Sequence, residues 1–188
     1  MTKGRLEGRK AIVSGGAAGA GGAASEIFAR EGARVAIIDI QEEVGLDLAK
    51  SICDKNGEAF FIKCDVSVEK EVESAVSQIN ERFDNRIDVL FNHAGTVIIK
   101  PFLETTESEW DWMMNVNVKS MFLMTRAVLP SMLGNGGNIV NTSSISAVAG
   151  TPMEVLYCTS KGACHMFTRA IATEYREKGI RCNAVCPG

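Results

Sequence analysis

Tyr157 and Lys161 stand four residues apart in a segment whose pattern is helical, so their side chains share one face. Ser144 precedes the tyrosine by 13 residues, in the loop that leaves an apolar run. Hydride transfer to a carbonyl needs a proton donor within hydrogen-bond reach of the developing alkoxide. A free tyrosine, with a pKa of about 10, is a poor base at neutral pH, and a nearby ammonium or an oxidised nicotinamide would stabilise its phenolate. A serine hydroxyl can donate to the same substrate oxygen as its charge changes. Taken alone, a Tyr and a Lys at helical spacing are common, and residues of a solvated face are the better reading of such a pair.

A second group sits near the N-terminus. The run 10–14 (KAIVS) leads directly into Ser14-Gly15-Gly16-Ala17-Ala18-Gly19-Ala20-Gly21-Gly22. Backbone N–H groups that bind a pyrophosphate at a helix N-terminus must approach it closely. A Cβ at the tight positions would hold the phosphates away or force a disfavoured φ. The turn is weak evidence by itself, because glycine also marks ordinary turns. Its context adds to it: the next apolar run ends at Asp39, 20 residues after Gly19. A carboxylate at that distance accepts from an adenosine ribose hydroxyl; the bland alternative is a solvated acid at a strand end. The carboxylate would also repel a 2′-phosphate, and Ile40 and Gln41 bring no cation to offset it, so NAD is favoured over NADP.

These residues need elements to hold them. Short β-branched and apolar runs at 10–14, 34–39, 59–63, 87–91, 138–142 and 181–185 predict six strands. Between them lie helical patterns from the glycine turn to about residue 31, then 42–55, 68–83, 107–133 and 154–178, the last with Gly179 as its C-cap. Continuous apolar strands separated by helices predict an α/β fold, a Rossmann-like doubly wound parallel sheet with helices on both faces. No linker, low-complexity stretch or repeat interrupts residues 1–188, which read as a single dinucleotide-binding and catalytic domain. Ser144 then falls at the carboxyl edge of the sheet, where ligands bind in such folds, and Asn117 falls within the helix 107–133.

Bulk properties narrow the function classes. The chain has 188 residues, 46% hydrophobic and 23% charged, with a net charge of −3, the profile of an ordinary globular protein. Its basic residues are scattered, so nucleic acid is not an expected partner. No stretch reaches about 18 uninterrupted apolar residues, so no membrane span is expected. Residues 1–10 alternate charge without an apolar run, which predicts no secretory signal and a cytoplasmic protein. The six cysteines at 53, 64, 158, 164, 182 and 186 have no second Cys/His pair at metal-binding spacing, so they read as small buried hydrophobes and no metal site is expected.

Several motifs stand in order along the whole chain: Ser14-Gly15-x3-Gly19-x-Gly21, Asp65-Val66, Asn92-His93-Ala94-Gly95, Asn117, Ser144, Tyr157-x3-Lys161 and Pro187-Gly188. In this order they resemble the short-chain dehydrogenases/reductases. The resemblance implies Tyr157 as general acid/base and Ser144 as the group orienting the substrate oxygen. It implies Lys161 on the nicotinamide ribose and beside the tyrosine, and Asn117 as the anchor of a water in a proton relay. Ser14, Gly15, Gly19, Ala20 and Gly21 would form the phosphate turn, and Asp39 and Ile40 would lie at the adenosine ribose. Asp65 would contact the adenine amino group, with a Val66 backbone group nearby. Asn92, Ala94 and Gly95 would pass beneath the adenosine ribose, and Pro187 and Gly188 would complete the cofactor site.

The implied activity is hydride transfer between NAD(H) and a small-molecule secondary alcohol or ketone, such as a sugar, polyol or steroid. A close alternative is an NADPH-dependent carbonyl or 3-oxoacyl thioester reductase, against which Asp39 counts. A third reading is a dinucleotide-binding protein without turnover, should the chain really end at residue 188. The resemblance places a seventh strand and a substrate-binding segment beyond Pro187-Gly188, so a C-terminal strand is expected to be missing from these residues. It also implies that the helices 107–133 and 154–178 pair between subunits, giving a homodimer or homotetramer. Trp110, Trp112 and the methionines of these helices would then pack in the core or at that interface. His93 stands where the family more often has Asn, read as a tolerated change near the cofactor; His165 reads as helix packing.

Overall fold

A computed structural model describes residues 4–188. Residues 1–3, part of the stretch 1–10 read above for a secretory signal, lie outside the described residues. The strands are β1 (Lys10–Ser14), β2 (Arg34–Asp39), β3 (Glu58–Lys63), β4 (Val89–Asn92), β5 (Gly137–Thr142) and β6 (Ile180–Val185). The helices are α1 (Gly19–Arg30), α2 (Glu42–Asp54), α3 (Glu69–Arg82), α4 (Glu107–Met114), α5 (Ser120–Val128) and α6 (Val155–Glu174).

All six strands pair in parallel in the order β3-β2-β1-β4-β5-β6. The chain therefore builds outward from β1 in one direction, returns to β4 and builds outward in the other. The reversal opens a crevice at the carboxyl ends of β1 and β4, where ligands bind in open α/β sheets.

Alternation along β1 explains how both faces are covered. Ile12 joins a core with Val72 and Ile79 of α3, Leu123 and Met124 of α5, and Leu90 and Ile139. Its neighbours Ala11 and Val13 join the opposite core with Ala29 of α1, Ala49 and Ile52 of α2, and Val35 and Ile37. Successive Cβ atoms of a strand point to opposite faces, so a strand buried on both sides must be apolar at every position. The expected Rossmann-like parallel sheet with helices around it is the architecture found.

Two elements differ from the sequence pattern. The expected helix over 107–133 is interrupted by a π-helical turn at Asn115–Lys119 and ends in a 3-10 turn at Leu129–Ser131, where Pro130 brings no amide. The strand expected at 87–91 forms at Val89–Asn92. Asp88 turns its carboxylate onto the Lys10 amide (3.0 Å) and the Arg9 and Arg86 guanidiniums (3.1 and 2.7 Å), and pairing with β1 begins one residue later. Among the described residues no helix is long and apolar enough to cross a membrane.

Candidate active site

The glycine turn leaves β1 and opens α1. Gly15 has φ +64°, and a Cβ there would lie 2.8 Å from Ala94 Cα. At Gly21 a Cβ would lie 1.9 Å from the Gly15 carbonyl oxygen. Both positions therefore require glycine for α1 to start this close to the sheet. The first intrahelical bond runs from Gly22 N–H to the Ala18 carbonyl (2.8 Å), so the amides of Gly19, Ala20 and Gly21 have no intrahelical acceptor. No side chain caps this end, and its first turn holds no acid. Gly19 and Ala20 are exposed. Bare amides at a positive helix end suit a phosphate.

Beside this turn lies an open cavity of about 400 Å³. Its walls bring together Gly15, Asp39, Ile40, Asp65, Val66, Ala94 and Gly95, which the sequence pattern had selected from four separate stretches. Asp39 accepts the amides of Ala17 and Gln41, each at 3.1 Å, which fixes its carboxylate between the glycine turn and the cavity. The Asp65 carboxylate accepts the Ser67 amide (2.9 Å) and hydroxyl (2.7 Å). Burial, with the Glu71 and Asp65 carboxylates nearby, pushes the Cys64 thiol up to about 12, so it is a neutral part of the wall. Among the described residues no Lys or Arg lines this cavity. The bare helix end and this acid-lined space together fit a dinucleotide.

Ser14 and Asn92 lie beneath the cavity rather than on it. Ser14 Oγ accepts the His93 amide at 3.1 Å. Asn92 is buried and donates to Asn141 Oδ1 (2.9 Å) and Thr125 Oγ1 (3.2 Å), while Asn141 donates to Thr168 Oγ1 (2.9 Å). This amide chain ties β4, β5, α5 and α6 together below the site.

The second half of the site stands where β5 and α6 meet. Lys161, 4% exposed, donates from Nζ to the Thr142 carbonyl (2.8 Å) and lies 5.6 Å from the Tyr157 ring centroid. Burial pushes its ammonium below the usual lysine range. Tyr157 is half-buried. Ser144 is buried; its Oγ accepts the Ser146 amide (3.1 Å) and makes a long contact of 3.5 Å with the Pro187 carbonyl. Pro187 also accepts the Ile145 amide at 3.0 Å, so the exposed Pro187-Gly188 end lies against the serine loop.

Asn117 sits in the π turn and is fully buried. Its Oδ1 accepts the Thr96 amide (2.7 Å), and its Nδ2 donates to the Thr96 carbonyl (2.9 Å) and Ser160 Oγ (3.0 Å). The Cys164 thiol, held neutral by burial, donates to the Asn117 carbonyl at 3.1 Å. The extra residue of a π turn lets one side chain reach out of the helix without breaking it. Here it clamps the loop after β4, so that a Cβ on Gly95 would lie 3.2 Å from Asn117 Oδ1 and 3.4 Å from Lys161 Nζ.

The structure adds supporting partners to the residues that the sequence placed in the site. Thr142 holds Lys161 by its carbonyl and His93 Nδ1 by its hydroxyl, at 3.0 Å. Burial, then the Lys161 charge, push the His93 imidazole below its usual range, against a smaller opposing effect of Asp39. Thr96, Ser160 and Ser146 position Asn117 and Ser144. Trp112 and Val116 line the same cavity, although the pattern had placed Trp112 in packing or at a subunit face. Between α5 and α6 an apolar groove of about 330 Å³ is lined by Phe122, Leu129, Pro130, Leu133, Phe167 and Ile171, on the helices expected to pair between subunits.

Residues 9–188 match the model of the family described as short chain dehydrogenase. The chain is 42% identical over 187 residues to "Dehydrogenase/reductase SDR family member 6" of Aquarana catesbeiana, covering 98% of this chain and 72% of that protein. It is 40% identical over 186 residues to a cyclopentanol dehydrogenase of Comamonas, covering 98% of this chain and 74% of that one. Its fold superposes on the crystal structure of a short chain dehydrogenase from Mycobacterium smegmatis with a TM-score of 0.93, at 32% identity, over 98% of this chain and 78% of that one.

Proposed function

Because this chain belongs to the short chain dehydrogenase family of oxidoreductases, we propose that it moves a hydride between NAD(H) and a secondary alcohol or ketone, with Asn117, Ser144, Tyr157 and Lys161 as its active site. The observation that carries the proposal is the buried Lys161 ammonium, held 5.6 Å from the Tyr157 ring at the sheet edge that also bears Ser144 and the cavity. A buried charge with one protein acceptor is costly, and it is retained where a task requires it.

A bound nicotinamide supplies or accepts the hydride. Tyr157 gives a proton from its hydroxyl to the substrate oxygen in reduction and takes it back in oxidation. Lys161 stabilises the tyrosinate left behind, and its remaining Nζ donors are free for a ribose hydroxyl. Ser144 is oriented by the Ser146 amide bonded to its Oγ, and the long contact to Pro187 leaves its proton available to the substrate oxygen. Asn117 keeps Gly95 beside Lys161 by holding both polar groups of Thr96.

Asp39 supports NAD over NADP. Its two oxygens already bind backbone amides, so its charge is fixed at the cavity wall, and no cation lines that wall to receive a 2′-phosphate. For the substrate, the similarity to a cyclopentanol dehydrogenase supports a small secondary alcohol. So do the exposed Val97, Ile99, Phe102, Val148 and Met153 on the loops after β4 and β5, which the Lys100 amide joins by donating to the Met153 carbonyl (2.8 Å). The groove between α5 and α6 supports a homodimer or homotetramer.

The test is turnover of cyclic secondary alcohols, cyclopentanol among them, with NAD and NADP in parallel, for the parent and Tyr157→Phe. The parent is expected to use NAD in preference to NADP. The variant is expected to lose about 100-fold or more in turnover, while NAD still raises its melting temperature. Undiminished turnover in Tyr157→Phe would remove the phenol from the chemistry, and equal use of NADP would overturn the role given to Asp39.

A further inference from the structure

Two large apolar side chains stand exposed on the wall of the dinucleotide cavity: Ile40 at 63% and Trp112 at 49%. They reach it from β2 and from the helix that follows β4, on either side of β1 in the sheet. Val116, one turn after Trp112, and Val66 add apolar surface to the same space. Among the described residues the charged lining groups are the Asp39 and Asp65 carboxylates. Apolar walls with carboxylate acceptors and no cation suit a neutral planar heterocycle bearing N–H and O–H donors, and do not suit a phosphate.

We infer that Trp112 is a cofactor-contacting residue, its indole forming one wall of the adenine end of the site, with the base lying between it and Ile40. The inference rests on the dinucleotide reading above and adds a binding residue to it. The indole is held for the task. α4 starts at a capping box in which Thr106 and Glu109 bond each other's backbone, and Lys100 pairs with Glu109 at 2.7 Å. A tryptophan on such a fixed helix has two side-chain torsions to restrain, so covering its half-exposed face with an aromatic base costs little ordering. Every base offers a π-face to an aromatic side chain, which makes stacking the natural use of this wall.

Trp110 and Trp112 are the two tryptophans of the chain, so Trp110→Phe leaves Trp112 as the single indole emitter. Emission of that variant is titrated with AMP, with NAD, and with nicotinamide mononucleotide, which lacks the adenine. AMP and NAD are expected to quench it saturably, and the mononucleotide to leave it unchanged. By calorimetry, Trp112→Ala is expected to bind AMP about tenfold more weakly than the parent, and Trp112→Phe only about two- to threefold more weakly. If circular dichroism shows that Trp112→Ala is unfolded, the comparison rests on Trp112→Phe and on the quenching.

AMP that binds the parent by calorimetry, yet leaves the emission of Trp110→Phe and the affinity of the Trp112 variants unchanged, would overturn the inference and leave the dinucleotide reading standing. A parent that binds neither AMP nor NAD would overturn both. Emission that follows protein concentration and ignores AMP would assign Trp112 to a subunit contact instead.

Discussion

Replacing Lys161 by methionine separates the charge from the bulk of this side chain and should move activity and stability in opposite directions. The ammonium lies 5.6 Å from the Tyr157 ring centroid. With the ring centroid standing for the delocalised phenolate charge and an effective dielectric constant of about 20, the two unit charges interact by about 3 kcal/mol. That is the stabilisation a tyrosinate would lose, and it corresponds to about a hundredfold in kcat/KM for alcohol oxidation. The stability effect follows from burial. Lys161 is 4% exposed with one protein acceptor, the Thr142 carbonyl, and a methionine fills the same space without a charge to desolvate. Unfolding in urea should therefore show Lys161→Met more stable than the parent by about 1 to 2 kcal/mol at neutral pH.

The pH dependence carries the sign. Burial lowers the folded-state value of Lys161, so between that value and the unfolded one, about 10.4, the unfolded chain binds more protons and stability rises with pH. The advantage of Lys161→Met should be full at neutral pH and shrink as pH climbs through that window. A variant that keeps kcat/KM within threefold of the parent, or that is less stable at neutral pH, would refute the reasoning.

Two further outcomes test the frame around the site. Asp88→Asn should destabilise the protein by about 2 to 3 kcal/mol in urea, because a buried carboxylate that joins β1 to β4 loses its charged partners. Burial alone would raise the Asp88 carboxyl, but the Lys10 amide and the Arg86 and Arg9 guanidiniums outweigh it and hold the group below its usual range. Its contribution is therefore present above about pH 4 and lost as pH falls through the folded value, an acid limb that the asparagine variant should lack and whose persistence would count against the assignment. Gly21→Ala should cost about 2 kcal/mol or more and abolish the rise in melting temperature given by NAD, since its Cβ would meet the Gly15 carbonyl at 1.9 Å. Gly150→Ala, with nothing within 4 Å of its Cβ, is the matched control, and equal behaviour of the two would remove the steric argument.

Sequence alone determined most of the elements, because those depend on short-range pattern, and the order of its motifs named the candidate site residues. β1 and β2 were legible to the residue: a strand covered on both faces is apolar throughout, and its polar ends, Lys10 and Ser14, mark its limits. The glycine turn and Asp39 were legible for the same reason, since the need for absent Cβ atoms and a strand-end carboxylate is written into residue type. Strand order and everything that depends on contact across it came from tertiary structure. The start of β4 was misplaced because Asp88 answers to Lys10 and Arg9, nearly 80 residues earlier. The break in the helix 107–133 was not visible because Asn117, helical by pattern, is drawn out of register by Thr96 and Ser160. Trp112 had no local mark distinguishing a core or interface aromatic from a cavity wall; the packing of α4 against the crevice decided it. Periodicity records which side of an element is buried, but what that side meets is set by parts of the chain far away in sequence.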